Sequence, residues 1–398
     1  MKRISIAIII AIFFLAACGD KTSKLNEKFD LLSKEVKSEF APDSRVKTFE
    51  PILEKVGKTM VLKGSTTEIQ AKENLIKRMS EENISILDSM VVLPDPRLGE
   101  KTYGITNLSV INIRMKPGYA EESGTQTLLG MPLRILENKG GWLRIQTPEG
   151  YLAWVTEKSV VSVDKNEFEK WMKSPKWIIN TYYTILRSEP KDNSTVVSDG
   201  VWGGIVVKDG QKGKYYKVIL PDGKTAYLLK EHAEDFNKWI ESRNPNPENI
   251  ISTAKGFLGF PYMWGGTSIK GMDCSGFTKT TFYLNGIILE RDASQQAYTG
   301  ENIDITNGFD NLTPGDLLFF GRKATIEKKE KVSHVAIYLG NGEFIHCATY
   351  VRINSLLPNT PNYYEGSTRL IRAQRILGNQ DTGNGIVSIS NHPWYSIK

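Results

Sequence analysis

The sequence predicts a multidomain fold, two small β-barrels followed by a C-terminal α+β domain. A repeat at a 73-residue offset marks the barrels, and helical patterning followed by strand patterning marks the last domain. The length of 398 residues agrees, since roughly 150 residues per domain allows two to four domains.

The chain starts with Lys2 and Arg3, an apolar run from Ile4 to Leu15, and then Ala16-Ala17-Cys18. A basic start, a short apolar core and small residues describe an export signal over 1–17, too short to span a bilayer comfortably. Its last residues resemble the bacterial lipobox, which implies that Cys18 becomes the lipid-modified first residue of the mature chain. Such a protein is exported and tethered at a membrane surface, on a periplasmic face or the cell surface. Residues 18–90 are rich in Lys and Glu, with Leu31, Leu32, Val36 and Phe40 at helical spacing, and are expected to form a helical or partly extended stalk.

The first barrel is expected over 91–164. Ile113-Arg114 with Pro117 recurs 73 residues later as Leu186-Arg187 with Pro190. Trp142-Leu-Arg-Ile-Gln-Thr-Pro-Glu-Gly150 recurs as Tyr215-Tyr-Lys-Val-Ile-Leu-Pro-Asp-Gly223, and Tyr151-Leu152 is matched to Tyr227-Leu228 after a three-residue insertion. Short alternating strands with Gly and Pro turns, repeating as a unit, imply a second barrel over 165–235, entered by a helix near Asn166 to Lys173. Both copies resemble bacterial SH3-like domains. Pro245 and Pro247 open the last domain, 245–378, which leaves a tail over 379–398.

In that domain Asn249 to Phe257 and Ser275 to Asn285 read as helices, the second ended by Gly286. Asp316 to Phe320, Val332 to Leu339 and Glu343 to Ala348 read as strands, the order of an α+β domain. Cys274 falls between an aromatic, turn-rich loop and a helix start, where N–H groups and the helix dipole favour a thiolate. His334 is the candidate base and His346 the group that orients it. They flank the turn Gly340-Asn341-Gly342. A two-residue loop would pair His346 with Ile337, on the wrong face. A three-residue loop with left-handed Gly342 pairs it with Ala336, on the face of His334. The three-residue loop is expected, because only that register lets one imidazole orient the other. His232 and His392 read as core or surface histidines, Cys347 as a buried strand residue, and Asp316 as a turn residue. Cys274 stays a free thiol unless it pairs with Cys347.

The motifs Pro261-Tyr-Met-Trp-Gly-Gly266, Asp273-Cys-Ser-Gly-Phe277, Pro314-Gly-Asp-Leu-Leu-Phe-Phe320, Ser333-His-Val-Ala-Ile-Tyr338 and Phe344-Ile-His346 resemble the NlpC-type papain-like cysteine peptidases. The resemblance covers Asn249 to Leu377 and implies Cys274 as nucleophile, His334 as base and His346 as its orienting partner. With two SH3-like domains, the chain is similar to the dipeptidyl-peptidase VI subgroup of γ-D-glutamyl-L-diamino acid endopeptidases. These cut peptidoglycan peptides with a free N-terminal L-Ala. The resemblance implies that Glu122, Tyr151 and Asp273 surround the substrate ammonium, although Glu122 alone reads as a solvated carboxylate and Tyr151 could be barrel core. The second repeat carries Thr195 where the first has Glu122, so only the first copy could supply this pocket. Trp264 is expected as a pocket wall. Arg291, with Ser275 and Ser294 as weaker candidates, is assigned to the D-Glu carboxylate, a salt-bridged surface arginine being the equal alternative.

No metal or cofactor is implied, since the two histidines lack an acidic partner at ligand spacing. With a net charge of only +6 and no arginine-rich arm, nucleic acid is not expected as a partner. Two rival readings stand: an endopeptidase on intact peptidoglycan, and a non-catalytic wall-binding lipoprotein. The basic segment Arg322 to Lys331 either gates the cleft or is a loop.

Overall fold

The computed structural model describes residues 23–395. The expected signal peptide and Cys18 lie outside the described residues. The chain divides into two compact units between Arg97 and Leu98.

The first unit corrects the expectation of a stalk. A helix over 23–40 (α1), the hairpin Phe49–Val56 (β1) with Thr59–Thr66 (β2) and the helix Ile69–Glu81 (α2) enclose a core of Phe29, Leu32, Val36, Phe49, Leu62, Leu75 and Met79. Abundant Lys and Glu suggested a solvated rod because one apolar stripe per helix is a minority of its residues. That stripe is enough to pack a small α/β layer. Leu32 and Val36 face inward, while Leu31 is exposed.

In the second unit, seven strands follow: Tyr103–Thr106 (β3), Val110–Arg114 (β4), Ser123–Leu128 (β5), Pro132–Lys139 (β6), Trp142–Gln146 (β7), Leu152–Thr156 (β8) and Val160–Val163 (β9). They form one antiparallel sheet in the order β9-β3-β6-β7-β8-β4-β5. After the helix Lys165–Lys173 (α3), held by an Asp164/Glu167 capping box, the pattern returns. Lys176–Ile179 (β10), Tyr183–Arg187 (β11), Val196–Val201 (β12), Ile205–Lys212 (β13), Tyr215–Ile219 (β14), Thr225–Leu229 (β15) and Ala233–Asp235 (β16) take the order β16-β10-β13-β14-β15-β11-β12, the same by rank. Every strand of the second sheet starts 73 residues after its counterpart, from Lys176 after Tyr103 to Ala233 after Val160. Bulges recur too, at Ile113/Arg114 and Leu186/Arg187.

Two expectations are corrected here. The offset contains no three-residue insertion: Trp154 pairs with Arg144 as Tyr227 pairs with Lys217, so the counterpart of Tyr151 is Lys224. Two aromatic-leucine pairs looked alike, but strand register decides the correspondence. The sheets also do not close into barrels. Closure needs the two edge strands to pair, and edge strand β5 is occupied otherwise. Its Gln126 accepts from the Thr267 N–H (2.9 Å) and the Ser268 hydroxyl (2.8 Å) through Oε1, and from the Thr267 hydroxyl (3.2 Å) through its carbonyl. The first sheet is thereby bonded to the C-terminal domain. Lys270 Nζ adds a clasp, reaching Ser109 Oγ, in the bend before β4, at 2.8 Å and Asp199 Oδ2 on β12 at 2.7 Å.

The C-terminal domain follows the short helix Phe236–Glu241 (α4). It opens with Pro247–Gly256 (α5), where Asn246 caps and Pro247 begins the helix. The helix Cys274–Leu284 (α6) is buried on all sides, ends at Asn285, and is followed by Gly286 at φ +84°. After Ala293–Gln296 (α7) come Glu301–Ile303 (β17), Leu317–Arg322 (β18), Lys331–Gly340 (β19), Glu343–Ala348 (β20), Tyr350–Ser355 (β21) and Leu370–Arg375 (β22). They form an antiparallel sheet ordered β17-β22-β18-β19-β20-β21, the α+β arrangement that the sequence predicts. Val335, Ile337, Ile345 and Cys347 face the core around α6. Ala336, Tyr338 and Phe344 face a second core with Phe320 and Leu370. Asp316 is more than a turn residue: it is buried and bonded by Arg375 at 2.9 Å through both Nε and an η nitrogen. The segment Arg322 to Lys331 is an exposed hairpin extension. The tail is ordered up to Tyr395, with Val387–Ser388 pairing against Ile287–Ile288 and His392 Nε2 bonded to the Pro148 carbonyl at 3.0 Å.

Gln126→Leu leaves the Thr267 N–H and the Ser268 hydroxyl unmet inside the contact between sheet and C-terminal domain. At about 1–3 kcal/mol per unmet group, urea titration should show a loss of about 2–4 kcal/mol. An unchanged midpoint would mean that this contact does not hold the two parts together.

Candidate active site

Cys274 is the first residue of α6, and its place is fixed by the residue before it. The Asp273 carboxylate caps the helix by accepting the Gly276 N–H at 2.7 Å. It also accepts the Gly265 N–H at 2.9 Å, which ties the Pro261–Gly266 loop to the helix start. The glycines of these motifs are steric requirements. A Cβ on Gly276 would stand 1.9 Å from the Gly266 carbonyl oxygen, and one on Gly265, at φ +75°, 2.4 Å from that of Ser123.

The two histidines come from β19 and β20. The turn between them corrects the expected three-residue loop. Asn341 and Gly342 have φ of +52° and +77° and form a two-residue loop closing the pair Gly340↔Glu343. A bulge between Tyr338 and Gly340 supplies the extra residue, giving Ile337↔Ile345. Continued by one residue, that register sets His346 opposite Ala336, on the face of His334. His334 Nε2 and His346 Nδ1 are 2.7 Å apart. Beyond Ile337 the ladder between β19 and β20 stops, and α6, which begins at Cys274, packs against both strands. The helix start thus meets the sheet where its strands part.

Burial sets the protonation states. It pushes the Cys274 thiol up to about 12, with the Asp273 charge acting in the same direction, against the N–H groups of Val335 and Ser275 and the charge of Arg291. It pushes His334 down to about 3, assisted by His346, Arg369 and Arg352, and His346 down to about 4 against its bond to Asn354. Burial therefore works against the thiolate expected at the helix start. Desolvation outweighs the dipole, and burial favours the neutral form of both the thiol and the imidazole.

The remaining predicted residues divide. Glu122, in the turn before β5, is exposed and accepts the indole N–H of Trp264, itself 61% exposed, at 2.8 Å. Tyr151 is buried, and its hydroxyl donates to Asp292 Oδ2 at 3.4 Å across the same contact. The first sheet thus reaches the loops on both sides of Cys274. Arg291 is only 1% exposed and bonds Asp273 at 2.6 and 3.2 Å and Ser275 Oγ at 2.9 Å. It is neither a surface arginine nor open to a substrate carboxylate, because the buried Asp273 requires a buried counter-charge. For the same reason Asp273 does not offer a free carboxylate to an ammonium, and the Ser275 hydroxyl is absorbed into the same cluster. Ser294 is half-buried in α7. Cys274 and Cys347 are both free thiols, and Cys347 Sγ lies 3.2 Å from the Met272 carbonyl oxygen.

Sequence reasoning missed Asp292, Gln126 and Asn354. Asn354 Oδ1 lies 2.9 Å from His346 Nε2, and its Nδ2 donates to the Asn362 carbonyl at 2.8 Å. It stands on β21 opposite Phe344, so its place follows from the register of a third strand. Periodicity within the His334–His346 hairpin carries no sign of it.

Comparison with known proteins agrees with this geometry. A sequence profile of the NlpC/P60 family matches residues 259–372, and one of the bacterial dipeptidyl-peptidase Sh3 domain matches 113–160. The chain is 34% identical over 257 residues to a γ-D-glutamyl-L-lysine dipeptidyl-peptidase of Bacillus cereus, covering 62% of this chain and 74% of the relative. This protein belongs to the NlpC/P60 family. It is a cysteine peptidase, a hydrolase, with an SH3-like domain ahead of the NlpC/P60 domain. It is also 29% identical over 273 residues to dipeptidyl-peptidase 6 of Lysinibacillus sphaericus, covering 66% of this chain and 94% of that one. The crystal structure of an NlpC/P60 family protein from Bacillus cereus superposes with a TM-score of 0.57 at 26% identity, covering 69% of this chain and 99% of that one.

The depressed histidines make the native state sensitive to acid. Between about pH 4 and 6.5 the unfolded chain holds protons on imidazoles that the native site keeps neutral, so stability rises with pH through this window. His346 alone contributes up to about 1.4 kcal/mol per pH unit. Melting temperatures should fall as pH drops from 6.5 to 4, less steeply in His346→Gln. A wild-type melting temperature flat across that window would contradict a dry, neutral pair.

Proposed function

We propose that the enzyme hydrolyses the γ-D-glutamyl–L-diamino acid bond of peptidoglycan peptides that carry a free N-terminal L-Ala. The observation that carries this is the placement of Glu122 and Tyr151, from the first sheet, against Trp264 and Asp292 at the nucleophile's own domain. An α-ammonium needs carboxylates in a cleft that excludes much of the water. Glu122 and Asp292, with the Tyr151 hydroxyl, are read as providing them. The name of the Bacillus cereus relative, a γ-D-glutamyl-L-lysine dipeptidyl-peptidase, supports the choice of bond.

In this reading Cys274 attacks the γ-amide carbonyl as its proton passes to His334. Since Nε2 of His334 is engaged by His346, the proton goes to Nδ1. The first N–H groups of α6 meet the oxyanion, the proton then goes to the leaving amine, and water cleaves the thioester. The second sheet is read as a second SH3-like module, on its identical strand order. It carries Thr195 and Lys224 where the first has Glu122 and Tyr151, so it is assigned no part in this pocket.

Purified protein given L-Ala-γ-D-Glu-L-Lys should release L-Ala-D-Glu by mass spectrometry, with N-acetylated peptide cut at least about 100-fold more slowly. Glu122→Ala should lower kcat/KM for the free tripeptide by a similar factor, about 2–3 kcal/mol, while Cys274 still reacts with an alkylator. Equal turnover of free and acetylated peptides would favour an enzyme acting on intact wall.

We also propose that Cys18 is lipid-modified and tethers the enzyme to a membrane, on the strength of the segment Leu15-Ala-Ala-Cys18. Labelled fatty acid should enter the wild-type protein in a producing bacterium and not Cys18→Ser. Equal labelling of both would end that reading.

A further inference from the structure

We infer that Asn354, held by the Asn362 carbonyl, sets the direction of every hydrogen bond in the imidazole pair and so leaves the lone pair of His334 Nδ1 for the thiol. This inference rests on cysteine-peptidase chemistry and not on which peptide is cut. A carbonyl oxygen only accepts, so the group of Asn354 that lies 2.8 Å from the Asn362 carbonyl is its NH2. That fixes the amide oxygen on the other side, 2.9 Å from His346 Nε2. An amide oxygen also only accepts, so His346 Nε2 carries the hydrogen. A neutral imidazole has one N–H, which leaves His346 Nδ1 as an acceptor. Its partner at 2.7 Å, His334 Nε2, must therefore be the donor. His334 Nδ1 is then bare, as a base requires.

The wrong tautomer of His346 would set two lone pairs against each other, and turning the amide over would do the same at Asn362. Water is poorly placed to relieve either conflict. His346 is fully buried, and the Tyr364 ring packs with centroid distances of 5.2 Å to His346 and 6.4 Å to His334. When His334 takes the thiol proton, its Nε2–H keeps donating to His346 and no proton moves further along the chain. Asn354 is thus a positioning residue: it never meets substrate and takes no charge.

The test uses the full-length protein with two substitutions. Asn354→Leu removes both hydrogen bonds. Asn354→Asp keeps an acceptor for His346 but loses the donor to Asn362. With 15N-labelled histidine, long-range NMR should show the Nε2–H tautomer for both rings in the wild type, and a mixture for His346 in Asn354→Leu. In that variant kcat should fall roughly 10- to 100-fold with KM within about twofold. That is less than the 10²–10⁴-fold of losing a general base. Alkylation of Cys274 by iodoacetamide, which needs no peptide, should slow in parallel. Asn354→Asp should restore the tautomer and bring kcat to within about tenfold of wild type. A purely structural role through Asn362 predicts instead that both variants are equally impaired, which would overturn the inference. Wild-type kcat and tautomers in Asn354→Leu would overturn it as well. If Asn354→Leu does not fold, finding Nδ1–H on His334 in the wild-type spectrum would do the same.

Discussion

The buried carboxylate of Asp273 is the constraint on which the rest of the site depends. One side chain caps α6, holds the Pro261–Gly266 loop through the Gly265 N–H, and pairs with Arg291. Each contact fixes something that Cys274 needs: the direction of the helix, the loop packed beside it, and a neutral total charge in a dry place. A carboxylate this far from water is tolerable only with such compensation. That is why Arg291 lies inside and is lost to substrate. The same crowding explains the glycines around it, since the Gly266 carbonyl and the helix approach more closely than any Cβ allows.

Dryness has a second consequence at the histidines. In water a thiol and an imidazole differ in pKa by only about 2 units. Here burial moves them apart, the thiol upward and the imidazole downward, so the resting pair is uncharged. In the proposed reaction the proton moves to His334 as the substrate arrives and supplies an oxyanion for the helix N–H groups to hold. A neutral pair also makes tautomer choice decisive, which gives a role to neighbours that only accept or only donate.

The repeated sheet shows one strand order carrying different residues at matching places. Both copies keep strand order and bulges, because these follow from the same alternation and turns. The first copy sets Glu122 and Tyr151 against Trp264 and Asp292, and Thr195 and Lys224 hold those places in the second. The edge strand of the first copy bonds the C-terminal domain through Gln126 instead of closing a barrel. Glu122 in the turn before β5 and Gln126 on β5 both bond the C-terminal domain, so a shift of that strand would displace both contacts.

The order of helices and strands, the 73-residue repeat, and the set Cys274, His334 and His346 were legible in the linear chain, because they rest on local periodicity, turn residues and short motifs. The α/β layer of the first unit was hidden, since a minority of apolar residues on each helix looks like a solvated rod until the faces pack. Tertiary structure alone decided that Tyr151 corresponds to Lys224, that a bulge and not a longer loop aligns the histidines, and that Arg291 serves Asp273. It also brought in Asn354 from a third strand. These are matters of register and burial. A chain's residue types state which groups are available, but only packing settles which are taken out of water and what each must then bond.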